Sequence, residues 1–176
     1  MIRFFDIYIS IICIIIFIPL LIILFLFGLL DSSSPLFFQL RLGRNKKKFR
    51  IIKFRPMLIN TESLSSHLID ERYITKYGRF LRKYKLDELP QLFNVLSGSM
   101  SLVGPRPNLL NHLELIRERE MLGVYKVRPG ITGLAQIKKI DMSNPKFLAK
   151  TDFEMIENFK IFTYFKLILS TFYKLK

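Results

Sequence analysis

Ile7 to Leu30 constrains this chain more than any other stretch. It is almost wholly Ile, Leu and Phe, and its main interruptions are Tyr8, Ser10, Pro19 and Gly28. The run exceeds the roughly 20 residues a helix needs to cross a bilayer. It is too long for a signal peptide, and no small-residue cleavage site follows it. A straight spanning helix is the simplest form for it. Two features argue for a re-entrant one instead. Pro19 lies near the middle, where it removes a backbone hydrogen bond and bends the helix. Positive charge also flanks both ends, with Arg3 and the terminal amine before the run and a dense basic cluster after it. The positive-inside bias draws both flanks to the cytoplasm. The expectation is therefore a helix within residues 1–34 that enters and leaves by one face, followed by a compact domain over 35–176.

The formal charge of +14 on 176 residues suits nucleic acid, anionic lipid or a phosphorylated substrate. No recognisable nucleic-acid-binding motif accompanies the charge, which sets nucleic acid aside. Cys13 stands alone, so an intramolecular disulfide is excluded and cytosolic chemistry follows. After the polar turn Asp31–Pro35 the pattern predicts two short strands, Phe37–Leu42 and Phe49–Phe54, joined by a hairpin turn from Gly43. Arg41, Arg44, Lys46, Lys47, Lys48 and Arg50 suit anionic headgroups beside the membrane. Lys53 and Arg55 are more specific, because they alternate with apolar residues and share one strand face. Asn60 to Asp70 reads as polar and irregular, with His67 at the surface.

Leu86 to Pro107 is the stretch in which chemistry is sought. Asp87 and Glu88 precede an apolar run at helical spacing: Leu89, Leu92, Phe93 and Leu96. Pro90 fits only the first turn of a helix. That puts Asp87 at or near the N-cap and Gly98 just past the C-terminus. At the positive end of the dipole Asp87 is favoured in the charged form a nucleophile needs. Glu88 points elsewhere, and could hold a divalent cation or handle a proton. Spacing alone equally describes a capped helix with two solvated acids. Upstream, Ile74–Tyr84 is helical and basic. Arg82 there either shares a phosphate with the pair or lies on a solvated face.

Val103–Pro107 is a rigid basic turn suited to a phosphate. Leu109–Leu122 reads as an amphipathic helix buried through Leu109, Leu113 and Ile116. Pro129, Gly130 and Gly133 make a tight turn whose exposed N–H groups form an anion nest with Arg128. From Asp152 the chain is predicted helical to its end, with Phe153, Ile156, Phe159, Phe162, Phe165, Leu169 and Phe172 among lysines. Such a helix suits a membrane interface or a packed core equally.

The apolar run with Pro19, Lys53–Arg55, Leu86–Val95, Ser101–Pro107 and Val127–Gly133 occur in an order that resembles one family. It is the small monotopic polyprenyl-phosphate phosphoglycosyl transferases, known as bacterial sugar transferases. The resemblance implies an α/β fold, mostly helical. It comprises a re-entrant membrane helix and a small catalytic domain with few strands and interfacial amphipathic helices, on the cytosolic face of the bacterial inner membrane. It implies transfer of a sugar-1-phosphate from a UDP-sugar to undecaprenyl phosphate, with Mg2+ as cofactor, and downstream glycosyltransferases as further partners. Asp87 would be the nucleophile, and Glu88 a catalytic residue and metal ligand. Lys53, Arg55, Arg82, Pro105, Arg106, Arg128, Gln136 and Asp152 would bind substrate. The chain departs from the family pattern at Ile18, Pro56, Leu134 and Phe153–Met155.

Overall fold

The computed structural model describes residues 1–59 and 71–173, so the expectations for Asn60–Asp70 and His67 lie outside the described residues. The chain is mostly helical with few strands, as expected. The apolar run forms one helix, α1 (Ile2–Ser32), of 31 residues with Pro19 inside it. At about 1.5 Å per residue it is long enough to exceed a bilayer core of about 30 Å.

Both halves of α1 lie against the same folded body. In the first half Ile2, Phe5, Ile9, Cys13 and Ile14 pack on a core that includes Val95, Met100, Val103 and Tyr164. Asp6 is buried there, and accepts hydrogen bonds from Ser101 Oγ and Leu102 N (both 2.9 Å) and from Tyr164 Oη (3.0 Å). In the second half Leu20, Leu21 and Leu24 pack with Phe54, Leu81 and Tyr77. Tyr77 donates its hydroxyl to the Leu24 carbonyl at 2.6 Å. The remaining face, with Ile15, Ile16, Ile22, Phe27 and Leu30, is exposed.

The next elements form the hairpin read from the sequence. β1 (Leu36–Leu42) pairs antiparallel with β2 (Lys48–Phe54), from Leu36 opposite Phe54 to Leu42 opposite Lys48. After it come α2 (Lys76–Lys83), capped by the Thr75 side chain, and a 3-10 turn at Leu86–Glu88. The turn leads into α3 (Gln91–Leu96). β3 (Ser101–Val103), α4 (Leu113–Met121), β4 (Gly130–Thr132), α5 (Leu134–Ile137), α6 (Pro145–Glu157) and α7 (Ile161–Tyr173) complete the order.

Four expectations are corrected. Asp87 does not cap α3; it lies in the 3-10 turn, and the helix starts after Pro90 with no side-chain cap. Gly98 does follow the helix end, at φ +85°. The glycines of Val127–Gly133 do not open a nest. Gly130 starts a strand parallel to β3, and a Cβ on it would come 2.0 Å from Gly104 N. The glycine is needed for close approach of two backbones, whose N–H groups are already used. Gly130 N donates to Pro105 O, and Gly104 N donates to Thr132 O. On α4 the buried pair is Leu115 and Arg119, one turn apart, while Leu113 is exposed. The C-terminal helix is two helices, interrupted after Glu157. α7 buries Tyr164 and Leu167 and exposes Ile161, Phe162, Phe165 and Leu169, so it has a core face and an apolar outer face.

Candidate active site

Asn94 fixes how the carboxylate turn meets the hairpin. Its side chain takes the Ile52 N–H at 2.9 Å and gives a bond to Arg50 O at 2.8 Å, closing the free edge of β2. This holds α3 along β2 and carries the preceding turn over the strand end. Lys53 Nζ then reaches Glu88 Oε1 at 3.1 Å. Arg106, on the turn after β3, reaches the same oxygen through NH2 at 3.0 Å. The three side chains line a shallow, open cleft with Arg41, Gln91 and Ile131.

The two carboxylates differ in their partners. Glu88 is burdened by burial, which favours the neutral acid. Lys53 and Arg106 outweigh that and hold it down at about 2. Asp87 accepts no hydrogen bond and makes no ion pair among the described residues. Burial and the adjacent Glu88 charge push it up to about 6, against the pull of Lys53, Arg106 and Arg82. The expectation that a helix start favours the Asp87 anion is therefore corrected. The helix dipole weakens quickly beyond the first turn, and desolvation prevails. Near neutral pH Asp87 is still mostly ionised, and it is unpaired.

Other site residues read from the sequence sit elsewhere. Arg82 is near enough to bear on Asp87 electrostatically. Pro105 is buried, and its carbonyl accepts from Gly130 N. Arg55 turns away to Ser34 O at 2.9 Å and lies over the Phe37 ring. Arg128 Nε donates to Gly98 O at 2.8 Å. Arg3 donates to Val95 O and Leu96 O, so both arginines satisfy carbonyls at the α3 end. Gln136 Nε2 contacts Gly104 O at 3.4 Å.

Asp152 is fully buried in an ion pair with Arg119, whose NH2 lies 2.6 Å from Oδ2. Arg119 NH1 continues to the Arg106 carbonyl at 2.8 Å and to Asn108 Oδ1 at 2.9 Å. Asp152 is thus linked to the cleft through the backbone of the arginine that faces Glu88.

A family model described as bacterial sugar transferase matches residues 1–176. This chain belongs to the bacterial sugar transferases. The uncharacterized sugar transferase EpsL of Bacillus subtilis is 41% identical over 143 residues, which is 81% of this chain and 70% of that relative. The UDP-glucose:undecaprenyl-phosphate glucose-1-phosphate transferase of Klebsiella pneumoniae is 41% identical over 140 residues, 77% of this chain and 30% of the relative. An Aeromonas hydrophila relative, the UDP-N-acetylgalactosamine-undecaprenyl-phosphate N-acetylgalactosaminephosphotransferase, is 36% identical over 167 residues, 90% of this chain and 40% of its own. The chain therefore spans less than half the length of these two relatives with named substrates.

In this sugar transferase the sequence reading missed Arg41, Asn94, Asn108 and Arg119. Arg41 had a usable signal. With the hairpin paired and side chains alternating, Arg41 falls on the same face as Lys53. The two asparagines and Arg119 had none, because the partners that matter are distant in sequence: Asn94 meets the Ile52 and Arg50 backbone, Asn108 Oδ1 accepts from Arg119 and Tyr125, and Arg119 pairs with Asp152.

Proposed function

We propose that this sugar transferase moves a sugar-1-phosphate from a UDP-sugar to undecaprenyl phosphate in two steps. The observation that carries the reading is the unpaired Asp87 carboxylate beside a cationic cleft anchored on Glu88. In the first step an Asp87 oxygen attacks the sugar-bearing phosphorus. The bond from that phosphorus to the bridging oxygen breaks, and UMP leaves with the electron pair. In the second step a phosphate oxygen of undecaprenyl phosphate attacks the same phosphorus. The Asp87 carboxylate is released, and the product is undecaprenyl-diphosphate-sugar. Both attacks need the phosphate charge offset and the reacting atoms held in line, which Lys53, Arg106 and Arg82 are suited to do.

A magnesium ion fits the donor chemistry only as a shared ligand. Among the described residues no group of three or more His, Cys, Asp or Glu could hold a metal. Mg2+ commonly takes one or two carboxylates and completes its shell with substrate phosphates and water. Asp87 and Glu88 supply that number, and both Glu88 ion pairs fall on Oε1. Bound there through Glu88, the ion would offset charge on the phosphoryl oxygens.

For the membrane arrangement we favour a helix that remains on one face, at the cytosolic side of the bacterial inner membrane. Packing of both halves of α1 on one body supports this, since a straight span would carry one half away from it. The exposed apolar faces of α1 and α7 would meet lipid. The lipid-linked product would pass to glycosyltransferases that extend it. The test is a screen of UDP-sugars with undecaprenyl phosphate and magnesium, scored by UMP release and by intact mass with donor alone. A mass gain of one phosphosugar on Asp87 is expected. UMP release without any adduct would overturn the two-step route.

A further inference from the structure

The cleft holds a third cation that its carboxylates do not neutralise. Arg41 projects from the Lys53 face of the hairpin and lines the cleft with Lys53, Glu88 and Arg106. Its NH1 donates to Pro107 O at 3.3 Å, and its NH2 donates to Gln39 Oε1. Both acceptors are neutral. Its Nε is buried with no hydrogen-bond partner among the described residues. Glu88 Oε1 is already shared by Lys53 and Arg106.

A desolvated cation without an anion is costly, and so is a buried N–H without an acceptor. The two neutral contacts hold the guanidinium rigidly, yet they leave its charge and one donor unmet. Burial and the nearby Arg106 charge, partly offset by Glu88, lower Arg41 to about 10. It therefore stays cationic at neutral pH.

We propose that Arg41 is a phosphate ligand of this cleft, donating to a phosphoryl oxygen that supplies the missing anion. The proposal rests on the reading above that the cleft takes phosphorylated substrates. A planar guanidinium that lines the cleft with its charge unneutralised can present directed N–H bonds to a tetrahedral anion, which a lysine ammonium offers only as a point charge. Two substrates carry such an anion, the diphosphate of the sugar nucleotide and the monophosphate of the polyprenyl acceptor.

The experiment uses the full chain in lipid nanodiscs, as wild type, Arg41→Gln and Arg41→Lys. Steady-state KM values are measured for the UDP-sugar and for undecaprenyl phosphate. Adduct formation is followed with donor alone, and thermal stabilisation by inorganic pyrophosphate is recorded. A tenfold or larger rise in donor KM with slowed adduct formation assigns Arg41 to the nucleotide diphosphate. The same rise in acceptor KM with normal adduct formation assigns it to the lipid phosphate. A rise in both means that one subsite serves the two phosphates in turn. Arg41→Lys keeps the charge, so it is the variant to read if Arg41→Gln folds poorly. It should lose much of the pyrophosphate stabilisation. Unchanged KM values in folded variants overturn the proposal, as does a lowered melting temperature with an undiminished pyrophosphate effect. If wild type itself neither turns over nor responds to pyrophosphate, the underlying reading fails and takes this one with it.

Discussion

Replacing Asp87 by Asn should make this protein more stable while abolishing its activity. Asp87 titrates near 6 in the folded chain, against an ordinary value of 3.8. The shift arises because burial and Glu88 oppose its ionisation more strongly than Lys53, Arg106 and Arg82 favour it. Each unit corresponds to about 1.4 kcal/mol, so holding the anion costs the fold about 3 kcal/mol at neutral pH. The sign follows from linkage. Below 3.8 Asp87 is neutral in both states and the cost is absent. It grows between 3.8 and about 6, then stays constant above that. Asn is neutral throughout and removes the cost. About 3 kcal/mol is a ceiling, since Glu88 titrates with Asp87 and shares the adjustment.

In a chain of this size each kcal/mol moves the melting temperature by about 2–4 °C. Asp87→Asn should therefore melt several degrees above wild type at pH 7.5, with a smaller gain near pH 5. Differential scanning calorimetry or a dye-based melt in matched detergent reads this directly. The same variant should form no phosphosugar adduct, and the wild-type rate should fall as pH drops through about 6. A destabilised Asp87→Asn at neutral pH would refute the reasoning, because the anion would then be a stabilising partner of the cations.

Glu88→Gln should lose most turnover, since Lys53 and Arg106 both rest on its Oε1; partial recovery on raising magnesium is expected, and none at any concentration would remove the metal role. Asp152→Asn should destabilise the protein by roughly 3–5 kcal/mol, because it strands the buried Arg119 charge. A melting temperature near wild type would show that the pair does not hold the Arg106 turn. For topology, Phe4→Cys in a Cys13→Ala background places a thiol on an exposed residue near the N-terminus, without disturbing the Arg3 bonds to α3. An impermeant thiol reagent should leave it unlabelled in sealed cells, and labelling there would restore a straight spanning helix.

Local periodicity and charge were sufficient for some features of this chain. The length and apolarity of Ile7–Leu30 required one long membrane-compatible helix. Two short strands around Gly43 were readable from alternation, and their register places Lys53 and Arg41 on one face. Five motifs in order, from the apolar run with Pro19 to Val127–Gly133, were enough to recognise the family. Each of these signals is carried by contiguous segments, where chain geometry alone decides which side chains are neighbours.

Only the tertiary structure decided what those residues do to one another. Sequence placed Asp87 at a helix cap, where its anion would be favoured; packing under the hairpin desolvated it and raised it instead. Asp152 looked like a substrate ligand, but it is sealed against Arg119 and acts on Arg106 from behind. Arg128 and Arg55 were both read as substrate-binding residues, yet Arg128 Nε donates to Gly98 O and Arg55 is held at Ser34 O and Leu36 O. The two glycines of Val127–Gly133 looked like an anion nest, and serve to bring β4 onto Gly104. For Asp152, the two arginines and the glycines the deciding partner is distant in the chain. Burial, ion pairing and unmet carbonyls depend on what folding brings near, and no periodicity records that.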